Sequence, residues 1–248
     1  MAKKSGLGQE FYIHGYDLSG DVGSLDGASG TRELLDVTPI SKSATERLVG
    51  RSSASLGFNT WFDDEAEKEH AALSGLVTTD RVVLWALGGS TGDVACAFPA
   101  KQLNYDASVG ADGSLSFSVD CESNGVAMDW CDLLTDGQVT HSSAGSNTSR
   151  DDGAATSAGM VAYLEIVDCD SGTPTVQIQE SSDNGSSDAW TNCMVFSSVG
   201  YASTPTAERS TMSGTVKRYL RVTTTGTFSN ADFIVATRRG TAQDDVTL

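Results

Sequence analysis

The sequence predicts a mainly β protein: a β-sandwich or partial barrel flanked by one α-helix, followed by a second β-sandwich. Three observations carry this. Apolar and polar residues alternate with period two through most of the chain, and Val, Thr, Phe and Tyr recur in the alternating runs. The runs are separated by Asp112-Gly113, Asp136-Gly137, Ser171-Gly172 and Asn184-Gly185, dipeptides suited to tight turns. Many short strands with frequent turns pack as sandwiches or barrels.

In chain order, strands are expected at Phe11–Tyr16, Ser55–Phe62, Arg81–Leu87, Asp93–Phe98, Ser114–Cys121, Met160–Val167, Thr175–Glu180, Val216–Thr224 and Asp232–Thr237. Within Leu115–Cys121 the alternation turns Phe117, Val119 and Cys121 inward, so Asp120 and Glu122 face solvent. One segment departs from this period. Asp63–Gly75 opens with acids and closes on glycine, as a helix does, with Ala66, His70 and Leu73 as its apolar stripe. Residues 138–157 are rich in Ser, Gly, Thr and Asn and lack core residues, which reads as a linker. The expected organisation is a first domain at 1–137, that linker, and a second β domain at 158–248. The polar stretch from Ser19 to Gly50 makes a poor core element and reads as an extended loop.

The 248 residues, 39% hydrophobic and 20% charged, are enough for a substantial core without staples. Sixteen basic against thirty-three acidic residues give a net charge of -17, of which -12 falls in residues 1–137. That balance argues against gripping nucleic acid through its phosphates, which takes clustered cations. No run approaches the ~20 apolar residues of a membrane helix. The start MAKKSGLGQEF has no apolar stretch to act as a signal peptide, so a cytoplasmic address is expected. Five cysteines without a C-x-x-C pair suit that address, and Cys121 reads as a small buried hydrophobe.

The search for chemistry ends without a site. Gly88–Gly92 fits the G-x-S-x-G pattern of a nucleophile elbow, but the residues after Ser90 read as a strand where an elbow needs a helix. The three histidines, His14, His70 and His141, have no placement beside Ser90 or a cysteine. Asp168–Gly172 and Asp183–Asp188 resemble calcium loops but lack the remaining ligands at the required spacing and read as turns. Tyr163, Trp190, Phe196, Tyr201, Tyr219, Phe228 and Phe233 would suit a carbohydrate platform or, equally, a sandwich core and its rim. No catalytic residue, cofactor or metal is expected.

Five blocks carry a resemblance: Phe11–Asp26 (FYIHGYDLSGDVGSLD), Leu35–Leu48 (LDVTPISKSATERL), Phe58–Phe62 (FNTWF), Tyr105–Phe117 (YDASVGADGSLSF) and Ser213–Phe228 (SGTVKRYLRVTTTGTF). Together they resemble the major tail, or tail tube, proteins of long-tailed phages, especially those of actinobacteria. The resemblance implies a tail-tube-type fold whose hexameric rings stack into a tube, with extended loops and the N-terminal arm docking on the next ring. The residues expected at inter-subunit contacts are Phe11, Tyr12, Asp36, Pro39, Lys42 and Arg47, and the expected acidic lumen residues are Asp120 and Glu122. The implied partners are copies of the chain itself and the tape measure, tail terminator and baseplate or distal tail proteins. Genomic DNA would pass without specific binding, and no membrane is involved. The implied location is the virion tail, assembled in the host cytoplasm. A capsid or virion decoration protein and a host-surface carbohydrate-binding module are the alternatives.

Overall fold

The computed structural model describes residues 5–241 and is mainly β, as expected, with a single short α-helix among the described residues. Its strands are β1 (Glu10–Ile13), β2 (Tyr16–Asp17), β3 (Val22–Asp36), β4 (Arg47–Trp61), β5 (Arg81–Ala86), β6 (Val94–Gln102), β7 (Asp106–Val109), β8 (Leu115–Ser123) and β9 (Asp129–Leu133) in the first half. The second half holds β10 (Val139–His141), β11 (Gly145–Ser146), β12 (Arg150–Asp151), β13 (Met160–Ser181), β14 (Thr191–Val195), β15 (Thr206–Met212) and β16 (Tyr219–Arg239).

All sixteen strands belong to one hydrogen-bonded network that forks at β6. The common stem is β2-β1-β5-β6. Along the free side of β6, residues Ala100–Gln102 pair with β8 and residues Val94–Ala97 pair with β9. The β8 branch continues through β4 to β3 and also carries β7. The β9 branch continues through β16 to β13, which carries β14 and β15.

Three clusters of buried side chains fill the layers so formed. The first branch curls over one face of the stem, enclosing Phe11, Leu56, Phe58, Phe98, Val119 and Leu73. The other face of the stem, Tyr12, Val82, Leu84, Ala95 and Ala97, with Leu133 of β9 beside it, packs on Val161, Tyr163, Ile234 and Ala236 of the second half. The strands β5 and β6 are therefore buried on both faces, which is why their sequences, RVVLWA and VACAFPAKQ, read as apolar runs rather than a clean alternation. A third cluster, with Leu164, Ile178, Met194, Phe196, Leu220 and Phe233, lies within the second half apart from Leu134, which follows β9.

Several expectations are corrected. The helix α1 covers only Glu69–Leu73, because Glu67 takes a positive φ of 64° and the Asp63 carboxylate turns the chain by accepting from the Glu65 N–H. Its buried face is Glu69, Ala72 and Leu73, while Ala66 is exposed. Residues 138–157 are not free-standing: β10, β11 and β12 all pair with β16, since ladder bonds need only main-chain groups, and Arg150 is buried there. The Ser171-Gly172 turn is instead a bend inside β13, and the strands expected at 216–224 and 232–237 merge into β16. A register shift at Ile166/Asp168 and a φ of +83° at Gly172 let the chain bend without leaving the ladder. Residues 19–50, read as a loop, form most of a long β3–β4 hairpin.

Candidate assembly surface

Two features of the β8 branch are candidate contact surfaces. The first is the distal part of the β3–β4 hairpin. From Thr31↔Ser53 outward, through Leu34↔Val49 and Leu35↔Leu48 to Asp36↔Arg47, it leaves the rest of the fold as a two-stranded arm. Five cross-strand pairs span the six residues Thr31–Asp36, and at ~3.3 Å per residue the ribbon is about 20 Å long. A chain normally turns one face of a strand inward, but here both faces are exposed. Leu34, Leu35, Val37, Ile40, Leu48 and Val49 are each at least 42% exposed. Isolated two-stranded ribbons are marginal in water. Local bonds hold the tip together: the Asp36 carboxylate accepts from the Thr38 N–H at 2.9 Å and hydroxyl at 2.6 Å, and Lys42 pairs with Glu46 at 3.0 Å. The Thr38 bonds also hold the Asp36 carboxyl below its usual range. Of the residues expected at contacts, Asp36, Pro39, Lys42 and Arg47 meet at this exposed tip.

The arm also differs from the rest of the molecule in charge. Residues 31–53 hold Arg32, Lys42, Arg47 and Arg51 against Glu33, Asp36 and Glu46, a net +1, which leaves the remainder at -18.

Phe11 and Tyr12, by contrast, are removed from the contact surface. Both are buried, Phe11 against Phe58 with ring centroids 4.8 Å apart and Tyr12 between the stem and the second half. Alternation on a strand covered from both sides sends each ring into a core, Phe11 beneath β4 and Tyr12 into the joint with the second half.

The second feature is the outer face of β3, β4, β8 and β7. As alternation predicts, Val119 and Cys121 are buried while Asp120 and Glu122 are exposed. Asp26 and Asp106, also exposed, join them on this face. The Asn104 amide donates to Asp106 and Asp120 at 3.0 Å each, and the Asn59 amide donates to both Asp26 oxygens. Between these groups lie Gly27, Ser29, Ser55, Gly57 and Ser118, so the face is flat as well as acidic. Sequence reasoning missed Asp26 and Asp106, which lie where strand boundaries were not legible. Among the described residues the outer edges of β3 and β7 pair with nothing, which leaves this four-stranded sheet open at both ends.

The other candidate chemistry is absorbed by the fold. Ser90 sits in the β5–β6 hairpin, its N–H bound to Asp93 at 3.1 Å. His70 Nδ1 meets the Tyr105 hydroxyl at 3.0 Å, and that hydroxyl donates to the buried Glu69 at 2.8 Å. Asp183 accepts from the N–H groups of Ser186, Ser187 and Asp188 and closes its own turn. No group of three or more His, Cys, Asp or Glu side chains among the described residues is placed to hold a metal ion. Of the seven second-half aromatics, Tyr163, Phe196, Phe228 and Phe233 are in cores. The Arg221 guanidinium lies 4.4 Å from the Trp190 ring centroid and that of Arg218 4.9 Å from Tyr219, which leaves Tyr201 as the openly exposed ring among them. No described helix is long and apolar enough to cross a membrane.

No protein-family profile matches the sequence, and no curated protein matches it. Among solved structures the chain is similar to the tail of an empty gene transfer agent particle, with 18% identity over 44% of this chain and 81% of that one and a TM-score of 0.36. It is also similar to a protein in the virion of the native gene transfer agent, with 16% identity over 52% and 98% and a TM-score of 0.42. The Dit hub protein of phage SPP1 matches at 11% identity over 93% and 98%, with a TM-score of 0.33.

Proposed function

We propose that the chain is a tail tube subunit of a long-tailed phage: copies join side by side into rings, six to a ring as the sequence resemblance implies, and the rings stack into a conduit for DNA. The observation that supports this best is the β7-β8-β4-β3 sheet, open at both edges and bearing the apolar arm. An unpaired strand edge is a template for another strand. A sheet with an open edge at each end can be continued by identical neighbours until it closes on itself, and closure removes every edge. The arm then reaches beyond its own ring, burying its six apolar side chains against a copy in the next. Its net +1 meets an acidic partner, because the rest of every copy is at -18.

In this arrangement Asp26, Asp106, Asp120 and Glu122 line the inner wall. Carboxylates repel a DNA duplex over about one Debye length, ~8 Å at physiological salt, and keep it sliding instead of bound. The tape measure, tail terminator and distal tail proteins would meet the tube at its core and ends, and the location would be the virion tail, with assembly in the host cytoplasm.

The test is negative-stain imaging of the full-length purified chain beside a Leu35→Asp/Leu48→Asp double variant. Stacked rings from the wild type, and single rings or monomers from a variant that melts at the wild-type temperature, are expected. A wild-type chain that stays monomeric or trimeric at high concentration would overturn the tube reading in favour of a decoration protein.

A further inference from the structure

The joint between the stem and the second half contains a group that the tube reading does not use. The β1–β2 turn, His14-Gly15, has positive φ at both residues and presses into the second half where β13 and β15 part company after Ile166↔Thr206. A Cβ on Gly15 would lie 2.3 Å from the Thr206 nitrogen and 2.5 Å from the Ile166 oxygen. The Gly15 N–H donates to Glu165 Oε2 at 2.5 Å. Glu165 is completely buried, and its Oε1 has no hydrogen-bond partner. Its cross-strand neighbours, Ala207 on β15 and Ile234 on β16, are apolar.

We propose that the Glu165–Gly15 contact is a pH-sensitive latch between the two halves of the molecule, closed when Glu165 is a neutral acid and released when it becomes a carboxylate. With the proton on Oε1, Oε2 remains a carbonyl-type acceptor for Gly15, and no charge is buried. Loss of that proton leaves an anion in an apolar layer with one main-chain donor, and the cheapest response is to part the turn from β13 and admit water. Burial holds the Glu165 carboxyl well above its usual range, against the smaller opposing effect of the Gly15 bond.

The titratable groups around the latch are Tyr12, His14 and Asp17 of the β1–β2 hairpin, Arg81 of β5, Glu67 and Lys68 across the cleft from Gly15, and Arg209 of β15 beside Tyr163. Burial, with the Arg81 charge second, lowers His14, so its protonation favours the open form at low pH and runs opposite to the Glu165 trend. Burial raises Tyr12, which keeps its proton throughout.

Opening coupled to the release of one proton becomes tenfold more favourable per pH unit between the open-state and closed-state titration points. The test is amide hydrogen exchange of the full-length protein from pH 7 to 9, corrected for intrinsic rates. Gly15 and Thr206 are followed, with Ile178 in the distal part of β13 as the reference. Protection at Gly15 and Thr206 should fall about tenfold per pH unit relative to Ile178. In Glu165→Gln, which keeps the shape and cannot ionise, it should be flat. Parallel pH dependence in the two proteins overturns the latch. If Glu165→Gln does not fold, the wild-type profile alone decides, since protection at Gly15 and Thr206 that stays as high as at Ile178 and constant up to pH 9 overturns it.

Discussion

The Tyr163 hydroxyl donates to the Asp129 carboxylate at 2.5 Å, joining β9, the strand that ends the first half, to β13 of the second. Arg238 binds the other oxygen of Asp129 at 2.6 Å, and the Arg209 Nε–H donates to the Tyr163 oxygen at 3.1 Å. Tyr163 is fully buried, and burial, reinforced by Asp129, pushes its hydroxyl above the usual tyrosine range. Asp129→Ala therefore strands a buried hydroxyl and uncouples Arg238, at an expected cost of about 3 kcal/mol. The urea midpoint at unchanged slope measures it, and a loss under about 1 kcal/mol would show that water replaces the network.

The acidic face makes the opposite prediction for stability. Asp106, Asp120 and Glu122 are exposed, so replacing all three with Lys should shift stability little, within about 0.5 kcal/mol per site. Assembled tubes of the variant should retain a DNA duplex at low salt and release it as salt rises, with the log–log slope counting the phosphates contacted. Wild-type tubes should retain none. Equal retention by both would move these acids off the inner wall.

Two glycines separate steric demand from conformational demand. Gly172 has φ +83°, and a Cβ there would lie 2.1 Å from the Thr227 carbonyl oxygen of the paired strand. Gly113 has φ +89° in an open turn with nothing within 4 Å. Gly113→Ala should cost about 1 kcal/mol, the left-handed backbone term alone. Gly172→Ala should cost at least twice that, because the bend of β13 must open. Equal melting temperatures for the two variants would contradict this.

Thiol chemistry reports on the cores. Burial holds Cys96 and Cys121 up at about 12, and the half-buried Cys193 likewise. The native chain keeps these protons while the unfolded chain gives them up near pH 8.5. Stability should therefore fall as pH rises from about 9 towards 12, and be insensitive to these groups below pH 8. At pH 8 a thiol reagent should label the four buried cysteines, Cys96, Cys121, Cys131 and Cys169, at the rate of unfolding. Fast labelling of Cys96 or Cys121 in the native chain would mean that the stem opens locally.

The sequence was legible wherever one face of a strand meets a core and the other meets water. Leu115–Ser123 is the clearest case, since its alternation placed Val119, Cys121, Asp120 and Glu122 correctly. The distal arm lacks that signal because neither face has a core within the chain, so Leu34 and Leu35 stand side by side as a pair that no period explains. The stretch 138–157 misled for a related reason: β10, β11 and β12 need main-chain groups and a partner strand, and composition reports neither. The acidic face was half legible, because Asp120 and Glu122 lie on a patterned strand. Asp26 lies at an irregularity of β3 and Asp106 on the exposed strand β7.

The path of the chain also sets an order of events during synthesis. The strand β9 has β6 on one side and β16, at Ala236 and Thr237, on the other. The β1–β2 turn waits for a partner 150 positions later in the chain. Until β13 and β16 emerge, the stem exposes Tyr12, Val82 and Leu84 on the face they will cover. Non-local pairing of this kind is slow to form. The arm and the open sheet edges, whose pairing is local, are complete well before the subunit is. A nascent chain thus exposes its most adhesive parts before it can offer a finished body, and production rate and temperature will govern how much of it folds instead of aggregating.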